Sequence, residues 1–292
     1  MSVATRIHTQ TEAESALETT RLGVVRYLNT RPLIAGLESL ADLRLRPEVP
    51  ADLIGALERG EVDAALCSSI DYQRSDADLV ILPVGLLGCD GPTLTVQLFS
   101  RVPFDRIRRL HADMDSHTSR VLSQLVLAER HGVRPEMADL TGEAASVDEA
   151  VLLIGDKVVL QPPDHATFPH RLDLGQAWRE LTGLPFTFAC WMAPRGSDDR
   201  AARRLATLAA VLDHQRRRNL PRRAAIGSTE GPARGWPAST AVEYLCDLLR
   251  FEWSDRHREG LELFWSKAVS AGCLPRRRAL HLLEAWCPPG QG

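Results

Sequence analysis

Two short turns carry the side chains best suited to chemistry. Tyr27-Leu28-Asn29-Thr30-Arg31-Pro32 follows a short apolar run at residues 22–25. Asn29 offers an amide donor and acceptor, Thr30 a hydroxyl and Arg31 a charged fork, a set suited to binding a carboxylate. Pro32 fits the first turn of a helix, and the free N–H groups of such an N-terminus favour an anion. Asp115-Ser116-His117-Thr118-Ser119 repeats this logic ahead of a strong helical pattern. Either turn also reads as a plain helix cap, with Arg31 and His117 solvated. On opposing lobes the two turns would suit a small ligand with two carboxylates.

Three further groups lie where strands end or begin. Ser68-Ser69 closes an apolar strand, and Asp156 closes another. In Gly91-Pro92-Thr93-Leu94-Thr95, Gly91 would let a ligand approach the backbone while Thr93 or Thr95 supplies a hydroxyl. Capping, or a hairpin turn for the Gly91-Pro92 pair, is the competing role.

The elements that must position these groups follow from the apolar pattern. Strands are expected at residues 22–25, 43–49 and 62–67, with helices at 32–40 and 50–60 between them. That alternation implies crossover units and a parallel sheet. Residues 79–82, 84–87 and 93–100 are strand-like, and Val102-Pro103 suggests a crossing into a second lobe. A strand at 107–112, a helix through Glu129, a strand at 150–155, a helix at 174–181 and a strand at 187–192 follow. From Asp198 the chain is mostly helical, interrupted by a Pro- and Gly-rich stretch at residues 216–238 that reads as a loop. The fold class is therefore α/β with two lobes and a cleft between them. Residues 21–103 and 193–292 form the first lobe, and residues 104–192 form an inserted second lobe. Ligands of such folds bind at the carboxyl ends of the strands.

At 292 residues the chain has room for two such lobes. Its net charge of −3 argues against nucleic acid or an anionic membrane as partner. Lys157 and Lys267 are the only lysines, the other basic residues being arginine. The run Arg216, Arg217, Arg218, Arg222 and Arg223 lacks interleaved aromatics and reads as a solvated surface loop. Cys67, Cys89, Cys190, Cys246, Cys273 and Cys287 are scattered, without disulfide or zinc-ligand spacing. Residues 1–20 are polar, with Glu12, Glu14 and Glu18, and read as a disordered leader rather than a signal peptide. A cytoplasmic protein is expected. No dinucleotide, phosphate-loop, metalloprotease or nucleophile-elbow motif is present. Trp178, Trp191, Trp253, Trp265 and Trp286 sit in apolar patterns and read as core.

The opening run Leu22-Gly23-Val24-Val25-Arg26-Tyr27-Leu28-Asn29-Thr30-Arg31-Pro32-Leu33 resembles that of the chorismate dehydratase family of the futalosine route to menaquinone. Gly60-Glu61-Val62-Asp63-Ala64-Ala65-Leu66, Ser68-Ser69-Ile70-Asp71-Tyr72, Gly91-Pro92, Ser116-His117-Thr118-Ser119 and Leu153-Ile154-Gly155-Asp156 extend the likeness in order. Leu172-Asp173-Leu174-Gly175 and the run from Trp178 to Phe186 carry it further, so it covers nearly everything after residue 20. The resemblance implies the type 2 periplasmic-binding-protein fold with mixed sheets. It also implies loss of water from chorismate to give 3-[(1-carboxyvinyl)oxy]benzoate, with no metal or organic cofactor. Asn29 is implied to touch the reacting ring and Thr95, where the family often has serine, to assist it. Tyr27, Thr30, Arg31, Ser68, Ser69, Gly91, Pro92, Thr93, Ser116, Thr118, Ser119 and Asp156 are the expected substrate-binding residues. Arg26, Lys157 and Cys89-Asp90 depart from the family pattern close to the expected cleft.

Overall fold

The computed structural model describes residues 19–196 and 198–283. The expected leader, Trp286 and Cys287 lie outside the described residues, apart from the leader's last two positions. The first apolar run forms β1 (Thr20–Val25), followed by the single-turn α1 (Arg31–Ile34), β2 (Leu43–Glu48), α2 (Pro50–Glu58) and β3 (Ala64–Ser68). β1 lies parallel to both β2 and β3. The crossovers cover its faces, which is why Leu22, Val24 and Val25 are all buried. The helix expected to reach residue 40 stops after one turn. Gly36 takes a left-handed conformation at φ 95°, and Asn219 Nδ2 donates to the freed Ala35 carbonyl at 2.8 Å.

After α3 (Asp71–Arg74), residues 79–82 and 84–87 merge into one strand, β4 (Leu79–Cys89), and β5 (Val96–Ser100) follows. Next come β6 (Arg109–Ala112), α4 (His117–His131), β7 (Glu136–Asp139), β8 (Ala150–Ile154), the short α5 (Lys157–Leu160) and β9 (His170–Asp173). α6 (Leu174–Thr182) and β10 (Phe186–Pro194) then lead to the C-terminal helices.

The strands form two mixed sheets, ordered β11-β4-β10-β3-β1-β2 and β7-β6-β8-β5-β9, where β11 spans Leu249–Arg250. Sheet membership moves the lobe boundaries expected at 103/104 and 192/193. β5 belongs to the second sheet and all of β10 to the first. The chain therefore crosses at residues 90–95 and returns between α6 and β10. The hydrophobic pattern alone could not show this, because buried strands of either lobe carry the same apolar signature.

The expected loop at residues 216–238 is also corrected. α7 (Asp199–Asn219), α8 (Arg223–Glu230) and α9 (Ala238–Glu243) run through it, and α10 (Asp255–Ser270) follows β11. Pro221 and Pro232 occupy first turns of short 3-10 segments, where proline costs little. Gly231 is needed for close packing, since a Cβ there would stand 2.4 Å from the Ala241 Cβ. Arg216 lies buried against Asp213 at 2.7 Å and Glu252 at 3.0 Å, and Arg217 reaches Asp213 at 2.6 Å. Trp178, Trp191 and Trp265 are fully buried, whereas Trp253 is half-buried. Among the described residues no helix is long and apolar enough to cross a membrane.

Candidate active site

A cleft opens between the two sheets. Tyr27 and Asn29 after β1, Ser68 at the end of β3 and Phe188 of β10 line it from the first lobe. Thr93 and Thr95 line it from the crossing, and Ser116, Ser119, Ile154 and Gly155 from the second lobe. Tyr244 and Leu249 close it from the C-terminal region. None of these lining side chains is acidic, basic or a histidine, so the wall is made of hydroxyls, one amide and apolar groups.

The crossing segment has a costly conformation. Leu94 has φ 65°, the only positive φ at a non-glycine residue among those described. Asp173 holds it there, taking the N–H groups of Thr93 and Leu94 at 2.8–3.0 Å. The same carboxylate caps α6 through Gly175 and Gln176 and accepts from Gln97 Nε2 at 2.6 Å. Burial pushes the Asp173 pKa up, against the opposing pull of these N–H donors. Gly175 permits the arrangement, because a Cβ there would meet Thr93 Cγ2 at 2.2 Å. Thr95 and Thr93 are thereby turned into the cleft.

Behind Tyr27 sits an ionic cluster. The Tyr27 hydroxyl donates to Asp115 Oδ2 at 2.6 Å, and Lys157 Nζ binds Asp113 at 2.7 Å and Asp115 at 2.8 Å. Burial and the Asp115 hydrogen bond push the Tyr27 pKa up, so the phenol stays neutral. Burial would raise the Asp115 pKa, but Lys157 and Tyr27 outweigh it and lower it. The Tyr27 ring covers Gly155, whose φ is 67° and whose missing Cβ would lie 3.0 Å from Tyr27 Cε2. Arg26 also lies over that ring, 5.7 Å from its centroid.

Seven expected binding residues come together on the cleft wall: Tyr27, Asn29, Ser68, Thr93, Thr95, Ser116 and Ser119. The others do not. Arg31 points away and pairs with Glu230 at 3.0 Å and Glu38 at 3.2 Å. Thr30 is buried and donates to Asn29 Oδ1 at 3.2 Å. Ser69 donates to the Thr187 carbonyl at 2.8 Å within the first lobe, and Thr118 accepts from Ile70 N at 3.2 Å, which joins the lobes. Gly91 and Pro92 form the turn ahead of Thr93, with Pro92 exposed. Asp156 faces the Leu28 N–H, and burial raises its pKa. Of the two proposed anion cradles only α4, with 15 residues capped by Ser116 Oγ on Ser119 N at 3.2 Å, is a true helix N-terminus. α1 is a single turn with little dipole.

Tyr244 and Asp173 are the groups the sequence pattern missed. Tyr244 lies in a stretch that reads only as mostly helical, and Asp173 reads only as the residue before an expected helix.

Two α/β lobes closing on a hydroxyl-lined cleft define a small-ligand site of the periplasmic-binding-protein type. The chain belongs to the menaquinone biosynthesis family, whose model matches residues 20–270. It is 31% identical over 258 residues to the chorismate dehydratase of Thermus thermophilus, covering 83% of this chain and 93% of that protein. A protein of Archaeoglobus fulgidus superposes with a TM-score of 0.66 at 15% identity, covering 87% of this chain and 98% of its own. The aliphatic sulphonate-binding protein of Escherichia coli gives 0.60 at 15% identity, covering 94% of this chain and 98% of its own. These two likenesses show the fold alone.

Proposed function

We propose that this chain is a lyase that removes water from chorismate to give 3-[(1-carboxyvinyl)oxy]benzoate. The observation that carries this reading is the placement of Asn29 and Thr95 on one cleft wall without a strong base. The likeness to the Thermus enzyme supports it. The reaction breaks the ring C–O bond, removes the proton from the neighbouring ring carbon and makes the ring aromatic. It therefore needs positioning more than a powerful acid or base.

Asn29 and Thr95 hydrogen-bond the departing ring hydroxyl. Ser116, Ser119 and the α4 N-terminus hold one carboxylate, and Ser68 and Thr93 lie within the same wall to orient the other. With no lining side chain able to accept the proton near neutral pH, it passes to the substrate's own enolpyruvyl carboxylate. That carboxylic acid then gives the proton to the departing hydroxide, which leaves as water. Lobe closure excludes solvent and holds the ring in a productive conformation. A substrate with two charges does not cross a bilayer unaided, which suits a cytoplasmic enzyme.

Incubation with chorismate tests the reading. Loss of the diene absorbance, with one aromatic product formed per chorismate consumed, is expected. Saturable binding without any loss of the diene would overturn it in favour of a carboxylate-binding protein.

A further inference from the structure

Tyr244 has no role in the chemistry above, yet it stands where the two acting groups meet. Its hydroxyl lies 2.7 Å from Thr95 Oγ1, and the Asn29 side chain lies near the same phenol, pulling its pKa down against burial. Thr30 Oγ1 donates to Asn29 Oδ1 at 3.2 Å, and Asn29 acts on the phenol as a donor would, lowering its pKa. The ring is fully buried and stacks on Trp236, with centroids 5.1 Å apart and planes 25° apart. It begins a π-helical turn, Tyr244–Leu248, in a chain whose other helices are α or 3-10 among the described residues. Such wide turns recur at functional sites. Here the turn lets Tyr244 and Leu249 both reach the cleft.

We propose that Tyr244 is a positioning residue that fixes the Asn29 amide and the Thr95 hydroxyl in one reactive geometry. The inference rests on the proposed dehydration and adds the residue that aligns its two polar groups. Asn29 comes from the first lobe and Thr95 from the crossing, so a group reaching both is needed to fix one relative to the other. Without the phenol oxygen, the amide keeps only its Thr30 contact, and the Thr95 hydroxyl can turn toward solvent or backbone. Misplacement of this kind costs a rate far more than it costs binding, because the aligned geometry matters most in the transition state.

The test is Tyr244→Phe, which keeps the ring and its stacking on Trp236, combined with Thr95→Val. With chorismate as substrate, Tyr244→Phe should lower kcat roughly tenfold to a hundredfold while KM stays within about twofold. The double variant should lose much less than the product of the two single losses, because both act through one hydrogen-bonded unit. The unfolding midpoint of Tyr244→Phe is measured alongside. A kcat within about twofold of wild type, or losses that multiply fully, would overturn the proposal while leaving the dehydration intact. A fall in kcat matched by an equal rise in KM and a large drop in unfolding midpoint would also overturn it, since that is the pattern of a purely structural tyrosine. A wild-type protein inactive on chorismate overturns the dehydration itself, and with it this role.

Discussion

The turns at residues 27–32 and 115–119 share a sequence logic but differ in use. The first places Tyr27 and Asn29 on the cleft wall, while Thr30 supports Asn29 from behind and Arg31 turns to the outer surface. The second divides its side chains between two duties. Ser116 and Ser119 face the cleft, whereas Asp115, His117 and Thr118 bind the opposite lobe through Tyr27, Asp71 and Ile70. A strand-to-helix turn in a two-lobed protein thus has two faces to serve. Which hydroxyl meets ligand depends on where the other lobe presses. The first turn should govern chemistry and the second should govern the union of the lobes.

The sharpest way to break that contrast is Asn29→Ala. Loss of a preorganised polar group at a reacting centre costs about 10²–10³ in rate. Turnover of chorismate should fall by that order with the unfolding midpoint little changed. Activity equal to wild type would remove the first turn from the chemistry. On the other side stands Thr118→Val, which keeps the shape but leaves the buried Ile70 N–H without its acceptor at 3.2 Å. A buried donor left unpaired costs about 1–3 kcal/mol. Thermal unfolding should show the loss, and turnover by the surviving folded protein should change little. If Thr118→Val abolished turnover without lowering stability, the division of labour within the second turn would be wrong.

The parts of this arrangement that were legible in the sequence share a cause. β1, α2, β3, α4 and α6 are local elements with apolar runs, caps and prolines in their own segments, and the cleft-facing Asn29, Thr95 and Ser116 sit at their ends or beside them. Tyr244 and Asp173 were not legible, since each acts on residues far away in sequence: Thr95 is 149 positions from Tyr244 and Thr93 is 80 from Asp173. The lobe boundaries were misplaced for the same reason, because only strand pairing across the sheets assigns β5 and β10. At residues 216–238 the prolines and glycines were legible as breakers but not as first turns and helix contacts, a distinction that needs the neighbouring helix.

A pH experiment sharpens the lobe-joining side. Asp71 is nine-tenths buried or more, its Oδ1 lies 2.8 Å from His117 Nδ1, and its Oδ2 has no protein partner. Burial raises its pKa above the ordinary carboxylate value, with His117 opposing. The folded state therefore binds this proton more tightly than the unfolded state. The stabilisation is complete below the ordinary pKa of about 4 and is lost as pH rises through the raised one. Asp71→Asn lacks this titration. Its unfolding midpoint should gain on that of wild type as pH rises from about 4 toward about 7. A difference moving the other way would show that the charged carboxylate stabilises the lobe contact.

Arg31→Ala should produce the smallest effect, and for that reason it tests the first turn most finely. Its guanidinium spans Glu38 and Glu230, linking the start of the fold to α8, and its side chain is 17% exposed. A partly exposed pair of this kind is worth about 1 kcal/mol or less, since solvent screens it and holding a long side chain costs entropy. The unfolding midpoint should drop slightly, and more at low salt than at high salt. Turnover and KM for chorismate should stay within about twofold, because the cation faces two glutamates rather than the cleft. A large rise in KM with unchanged stability would mean that Arg31 swings from Glu230 to the ligand when the lobes close. The first turn would then serve both binding and chemistry, as its residue types first suggested.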